Sequence, residues 1–188
     1  MEKIHKLSAL RRESWRTIPS TPGLYWWYFP ESALTDFRIK EFVDLTQVKF
    51  KQAADGKVCL YHGMANNLSQ RVKWHAAQKL TREALESGFL STFRLTLLSL
   101  SNFDYFAGET EIDNFFDTLS IEWTVVASRE VALEMEQSNF RGDFAFPLNI
   151  QGNKIPELSL YVKHLKTTRR AYRHNILGTV PSSSKVQL

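Results

Sequence analysis

Residues Lys57 to Lys79, KVCLYHGMANNLSQRVKWHAAQK, decide how the chain is read. Val58, Cys59, Leu60 and Tyr61 are apolar and β-favouring, and they predict a strand. Gly63 reads as the turn that follows. Asn66 and Asn67 then stand before a helically spaced run. An asparagine side chain accepts from the free N–H groups of a first helical turn, so a helix is expected to start here. Leu68, Val72 and Ala76 recur every four residues as one apolar stripe. Arg71 and His75, also four apart, share a neighbouring face. A strand delivering a tyrosine and a helix presenting a cation and an imidazole make a small site. Its other parts must come from elsewhere in the chain.

Upstream, PGLYWWYFP (Pro22 to Pro30) places six β-favouring residues between prolines, a strand buried on both faces. Residues 1–21 read as a short helix or arm with Leu7, Leu10 and Trp15 as packing points. Between the first two strands, residues 31–56 mix both charge signs with Phe37, Phe42, Leu45, Val48 and Phe50, an inserted helix and loop. Downstream, Ser87-Gly88 is expected to break the first helix, and Phe89 to Leu100 to form a second, apolar one. Residues 101–118 are polar and acidic, so they read as a loop. LSIEWTVVA, Leu119 to Ala127, alternates and is a third strand. Ser128 caps a helix from Arg129 to about Phe140, with Gly142 as its stop. A proline-rich loop leads to a last helix, Leu158 to Asn175, and residues 177–188 read as a mobile tail. The expected fold is α+β: a small, mainly antiparallel three-stranded sheet flanked by helices. One domain would span residues 1–188, with its core at about 22–150.

Composition narrows the classes. The chain has 188 residues, 43% hydrophobic and 23% charged, enough to bury a core without staples. A single cysteine, Cys59, excludes an intrachain disulfide and suits a reducing compartment. No apolar run approaches the roughly 18 residues of a membrane span. The first residues lack the apolar core of a secretory signal, so the expected location is cytoplasmic, with no membrane partner. The net charge of +4 is modest, but it is unevenly placed. Lys163, Lys166, Arg169, Arg170 and Arg173 lie in the last helix with no acid among them, opposite an apolar stripe of Leu158, Tyr161, Leu165, Tyr172 and Ile176. Such a cationic face suits nucleic-acid phosphates; a solvated basic helix is the plainer alternative.

Several short motifs occur together and in order. Gly23-Leu24-Tyr25 lies in the first strand and Tyr61-His62-Gly63 in the second. Arg71 and His75 follow on the first helix. Glu136 ends an A-x-x-x-E run that begins at Ala132, and Pro147 and Asn149 come after it. In this set the chain resembles the GIY-YIG nuclease family, above all its stand-alone, restriction-type members. It departs from the motif at Leu24 and His62, each replacing an isoleucine, and at Met64, where some members carry lysine.

The resemblance implies a metal-dependent endonuclease that hydrolyses DNA. Glu136 would hold Mg²⁺ or Mn²⁺, and Tyr25 or Tyr61 would act as base or water positioner. Arg71 would bind a non-bridging oxygen or stabilise the developing negative charge. His75 would orient the water or touch the phosphate, and Asn149 would position the backbone phosphate or the glutamate. Cutting both strands would call for a homodimer or for rebinding. Singly, each residue has a plainer explanation: tyrosines pack in cores, Arg71 and His75 fit a solvated face, and Asn149 forms turns. One pattern accounting for all of them is what gives the site its weight. Two other readings stand beside it: a catalytically inactive nucleic-acid-binding module, and an interaction protein using the aromatic strand Tyr25 to Phe29.

Overall fold

A computed structural model of the protein describes residues 3–179. The chain begins with a two-residue strand, β1 (His5–Lys6), and helix α1 (Leu7–Arg12). Strand β2 (Gly23–Phe29) follows, then two short helices, α2 (Ala33–Asp36) and α3 (Ile39–Phe42), in the insertion before β3 (Val58–Ala65). Helices α4 (Leu68–Ala77), α5 (Arg82–Glu86), α6 (Thr92–Ser101) and α7 (Glu109–Thr118) lead to β4 (Ser120–Val125). Helix α8 (Arg129–Asn139) and a long α9 (Ser159–Thr179) complete the described residues.

The sheet is antiparallel in the order β1-β4-β2-β3, so in the described residues it has four strands, not three. The extra strand comes from the N-terminal arm: His5 pairs with Ile121 and stacks on the Trp123 ring at 4.2 Å. Two residues with no β-rich run carry no strand signal of their own, and only the exposed edge of β4 makes them one.

Strand β2 is central and wholly buried, as its unbroken apolar run requires. Tyr25, Trp27 and Phe29 enter the main core with residues of α4, α6 and α7. Leu24, Trp26 and Tyr28 join a smaller core with Cys59 and Phe146. Fully burying one such side chain contributes about 1.5–3 kcal/mol, so this strand anchors the domain.

Three further expectations are corrected. Gly63 does not turn the chain; it lies within β3, opposite Tyr25. Helix α4 ends at Ala77 and not at Ser87-Gly88, because Gln78 is extended and its side-chain amide holds the 89–91 segment, donating to the Phe89 carbonyl and accepting from Ser91 N–H. Thr81 then caps α5. The acidic stretch read as a loop contains helix α7. Its Ile112 and Phe116, four apart, are buried, and Asp113 and Asp117 pair with Arg94 and Arg11. Helix α9 reaches Thr179, so residues 177–179 are helical, and the rest of the expected mobile tail lies outside the described residues.

Candidate active site

Strand β3 sits at the sheet's edge, and a bulge shapes what it presents. The register with β2 shifts between Trp27, opposite Tyr61, and Tyr28, opposite Cys59. Leu60 is the extra residue, so Leu60 and Tyr61 both turn toward the main core. Tyr61 thereby shares a face with Tyr25; their rings are 6.4 Å apart. Tyr25 lies directly across Gly63. A Cβ built on that glycine would sit 2.5 Å from the Tyr25 hydroxyl, so the glycine serves close approach and not chain reversal.

The outer edge of β3 is covered group by group, which blunts it against strand addition. Leu148 N–H donates to the Leu60 carbonyl at 2.9 Å. The Asn149 side chain accepts from His62 N–H at 2.9 Å and donates to the His62 carbonyl at 2.7 Å. Glu136 Oε1 accepts from Met64 N–H at 3.0 Å. Asn149 therefore spends its amide on the β3 backbone. It positions the strand, where the resemblance gave it the phosphate or the glutamate.

Helix α4 starts as its sequence requires, with the Asn67 side chain accepting from Gln70 N–H at 2.9 Å. Its buried stripe of Leu68, Val72 and Ala76 fixes the rotation of the helix. His75 is consequently buried: Nε2 meets the Tyr25 hydroxyl at 3.0 Å and Nδ1 meets Ser91 Oγ at 2.7 Å. Burial, aided by Arg71, holds this imidazole well below its ordinary pKa, so it is neutral. Both ring nitrogens are occupied within the protein. His75 thus orients Tyr25, while the Arg71 guanidinium lies over the Trp74 ring at 4.8 Å.

The two phenols are not equivalent. Tyr25 is buried and its pKa lies well above the usual value, chiefly through burial. Tyr61 is half-buried, stacked on Phe93 at 4.1 Å, and its hydroxyl is pushed up to about 12 by burial, against the pull of Arg71. Both are neutral phenols near neutral pH, and Tyr61 is the more accessible of the pair.

Tyr25, Tyr61, Arg71, His75, Glu136 and Asn149 all line one cleft of about 460 Å³. Arg169 lines it too, reaching across from α9, which packs along α6. The sequence reading placed Arg169 only on the basic helix. Nothing local marks it out, because its entry into the cleft depends on how α9 docks. Burial lowers the Arg169 pKa and the neighbouring Tyr61 raises it. Ser91 and Trp74 were also missed; the N-cap position of Ser91 ahead of α6 was the one available signal.

Beside the cleft runs a groove of about 710 Å³ lined by Lys166, Arg169, Arg170 and Arg173, with Arg169 common to both. Lys163 is exposed and lies outside the groove. His62, the departure from the motif, is on the far side of the strand, stacked on Trp26 at 4.9 Å and bonded to the Tyr25 carbonyl and Asn139. It lines the back of the cleft and braces the strand that carries the phenol pair.

Glu136 is half-buried, and its carboxyl is held above the usual range mainly by burial, with Arg71 opposing. No ion pair of Glu136 is found among the described residues, nor any cluster of three or more His, Cys, Asp or Glu able to hold a metal. No helix is long and apolar enough to cross a membrane among those residues.

Against known proteins, no curated protein and no solved structure matches the chain. A family model described as a GIY-YIG catalytic domain matches residues 23–171, a span that opens on the first residue of β2 and closes inside α9, taking in every residue of the cleft. By that match over most of its length, the chain belongs to the GIY-YIG nuclease family.

Proposed function

We propose that the protein is a metal-dependent endonuclease that hydrolyses DNA phosphodiester bonds. The observation that carries this reading is the meeting of two phenols, two guanidiniums and one carboxylate in a single cleft, continuous through Arg169 with a basic groove. Phosphoryl chemistry needs an oriented water and neutralisation of the charge on the phosphate. Arg71 and Arg169 approach the cleft from different helices, α4 and α9, and two planar, permanently charged forks suit a phosphate between them. Tyr61 orients the attacking water. Tyr25, pinned by His75, presents a second phenol oxygen beside it.

Glu136 fits a divalent ion. Its carboxylate is partly desolvated without a paired cation, a cost that a bound cation relieves. One carboxylate suits Mg²⁺ or Mn²⁺, since Mg²⁺ keeps most of its waters and takes phosphate oxygens for the rest. When bound, the ion supplies positive charge to the phosphate and lowers the pKa of nearby water and phenol groups. Asn149 and the Met64 N–H hold β3 and the Glu136 carboxylate in fixed relation.

The test is cleavage of supercoiled plasmid with and without Mg²⁺ or Mn²⁺. Nicking should require the metal and fall about 100-fold or more in Glu136→Ala and Arg71→Ala. Nicking that persists undiminished in both variants overturns the assignment. Salt-sensitive binding without any cleavage would leave a nucleic-acid-binding module that keeps the fold and lacks turnover.

A further inference from the structure

A second recess, about 520 Å³, adjoins the cleft. It shares Met64, Arg71 and Trp74 with the cleft, so the two are continuous. Its composition differs sharply from that of the groove. Trp74 and Phe89 supply aromatic surface, their ring centroids 6.1 Å apart, and Phe89 is 70% exposed. Around them stand Asn66, Gln70 and Arg129. Among the described residues the side-chain amides of Asn66 and Gln70 make no hydrogen bond to the protein, and the buried Trp74 indole N–H has no acceptor.

An aromatic ring left in solvent beside Arg71 has no role in the hydrolysis of a phosphate. Its chemistry does match that of a nucleobase. Bases stack on aromatic side chains with little regard to sequence, and their polar edges pair with amide side chains. The basic groove carries four cations suited to phosphates and no Phe, Tyr or Trp ring.

We propose that this recess receives an unstacked nucleobase adjoining the scissile phosphate, with Phe89 as its stacking platform and Asn66, Gln70 and Arg129 at its edge. The substrate is accordingly a strand that is unpaired, or readily unpaired, beside the bond that is cut. This deepens the nuclease reading and rests on it for the word scissile. The recess itself is tested without turnover.

The full chain is titrated, with EDTA present, against a fluorescein-labelled single-stranded thymidine oligonucleotide and an abasic oligonucleotide of the same length and charge. The wild type should bind the base-bearing strand about tenfold more tightly, as one good stacking contact gives. Phe89→Ala should abolish that difference and leave abasic affinity unchanged; Phe89→Trp should keep it. Phe89 is solvent-exposed, so neither change threatens the fold. Equal affinity of the wild type for both strands overturns the proposal. So does a Phe89→Ala variant that weakens both strands alike. A change of oligomeric mass in Phe89→Ala with the base preference intact would make Phe89 a contact between copies, which also overturns it. Metal-dependent cleavage by a wild type that shows no base preference would defeat this inference and leave the nuclease reading standing.

Discussion

At Gly63 a single missing carbon decides whether Tyr25 can be where it is. The ring crosses β3 at the glycine, and its hydroxyl is held at the far end by His75, which is held in turn by Ser91. A methyl group at residue 63 pushes on a side chain with nowhere buried to go. Gly63→Ala should therefore cut plasmid cleavage about 100-fold while costing about 1–3 kcal/mol of stability, the usual penalty for overpacking. Wild-type cleavage rates in the folded variant would contradict this account of the glycine. The two arginines that flank the cleft make a second contrast at this scale. Arg169 lines both cleft and groove, whereas Arg170 lines the groove alone. Arg169→Ala should lower kcat about 100-fold, and Arg170→Ala should chiefly weaken DNA binding; single-turnover rates at saturating protein separate the two effects. Similar kcat losses for both would remove Arg169 from the chemistry.

Among the elements, α9 presents its cations to a groove rather than to open solvent on every side. Lys166, Arg170 and Arg173 line that groove and Lys163 does not. Replacing the first three by glutamine should reduce the slope of log affinity against log salt by about 2.7, since each of the three lost phosphate contacts removes roughly 0.9. Lys163→Gln should leave the slope alone. An unchanged slope in the triple variant would take α9 out of the DNA path. Elements with local signals were legible in the sequence: Asn67 and Ser128 cap α4 and α8 as their side chains allow, and β2 announces itself through an unbroken apolar run. The illegible ones depend on partners far along the chain. Helix α7 carries Asp113 and Asp117, which look like solvated loop charges until Arg11 and the buried Arg94 meet them, about 100 and 19 residues away. The same holds for the site: the motif spacing led to Tyr25, Tyr61, Arg71 and Glu136, while Arg169 entered only through the docking of α9.

For the whole molecule, the two buried imidazoles set how the fold responds to acid. His62 is braced on both sides, by the Tyr25 carbonyl at Nδ1 and by the Asn139 amide at Nε2, and a donor amide facing Nε2 leaves no acceptor for a second proton. Its pKa falls to about 4 through burial, and burial holds His75 well below its ordinary value as well. Both groups bind protons more readily in the unfolded chain, near pH 6.5, than in the native one. Between pH 6.5 and about 4 the unfolded state therefore carries more protons, and stability must fall as pH falls. Each group contributes up to about 1.4 kcal/mol per pH unit, so His62 alone costs about 1.6 kcal/mol on going from pH 6.5 to 5, the unfolded imidazole being half protonated at the start. Glu136, with its raised carboxyl pKa, takes up its proton more readily in the native state and offsets part of this at the acid end. Urea unfolding at pH 7 and pH 5 should show a loss of at least about 2 kcal/mol, with the cleft and the core failing together because His62 and His75 grip β2 from its two faces. His62→Gln keeps a side-chain donor and acceptor but does not titrate, and it should remove about half of the pH dependence. If wild type and His62→Gln lose stability equally between the two pH values, the acid sensitivity lies elsewhere than in the histidine behind the strand.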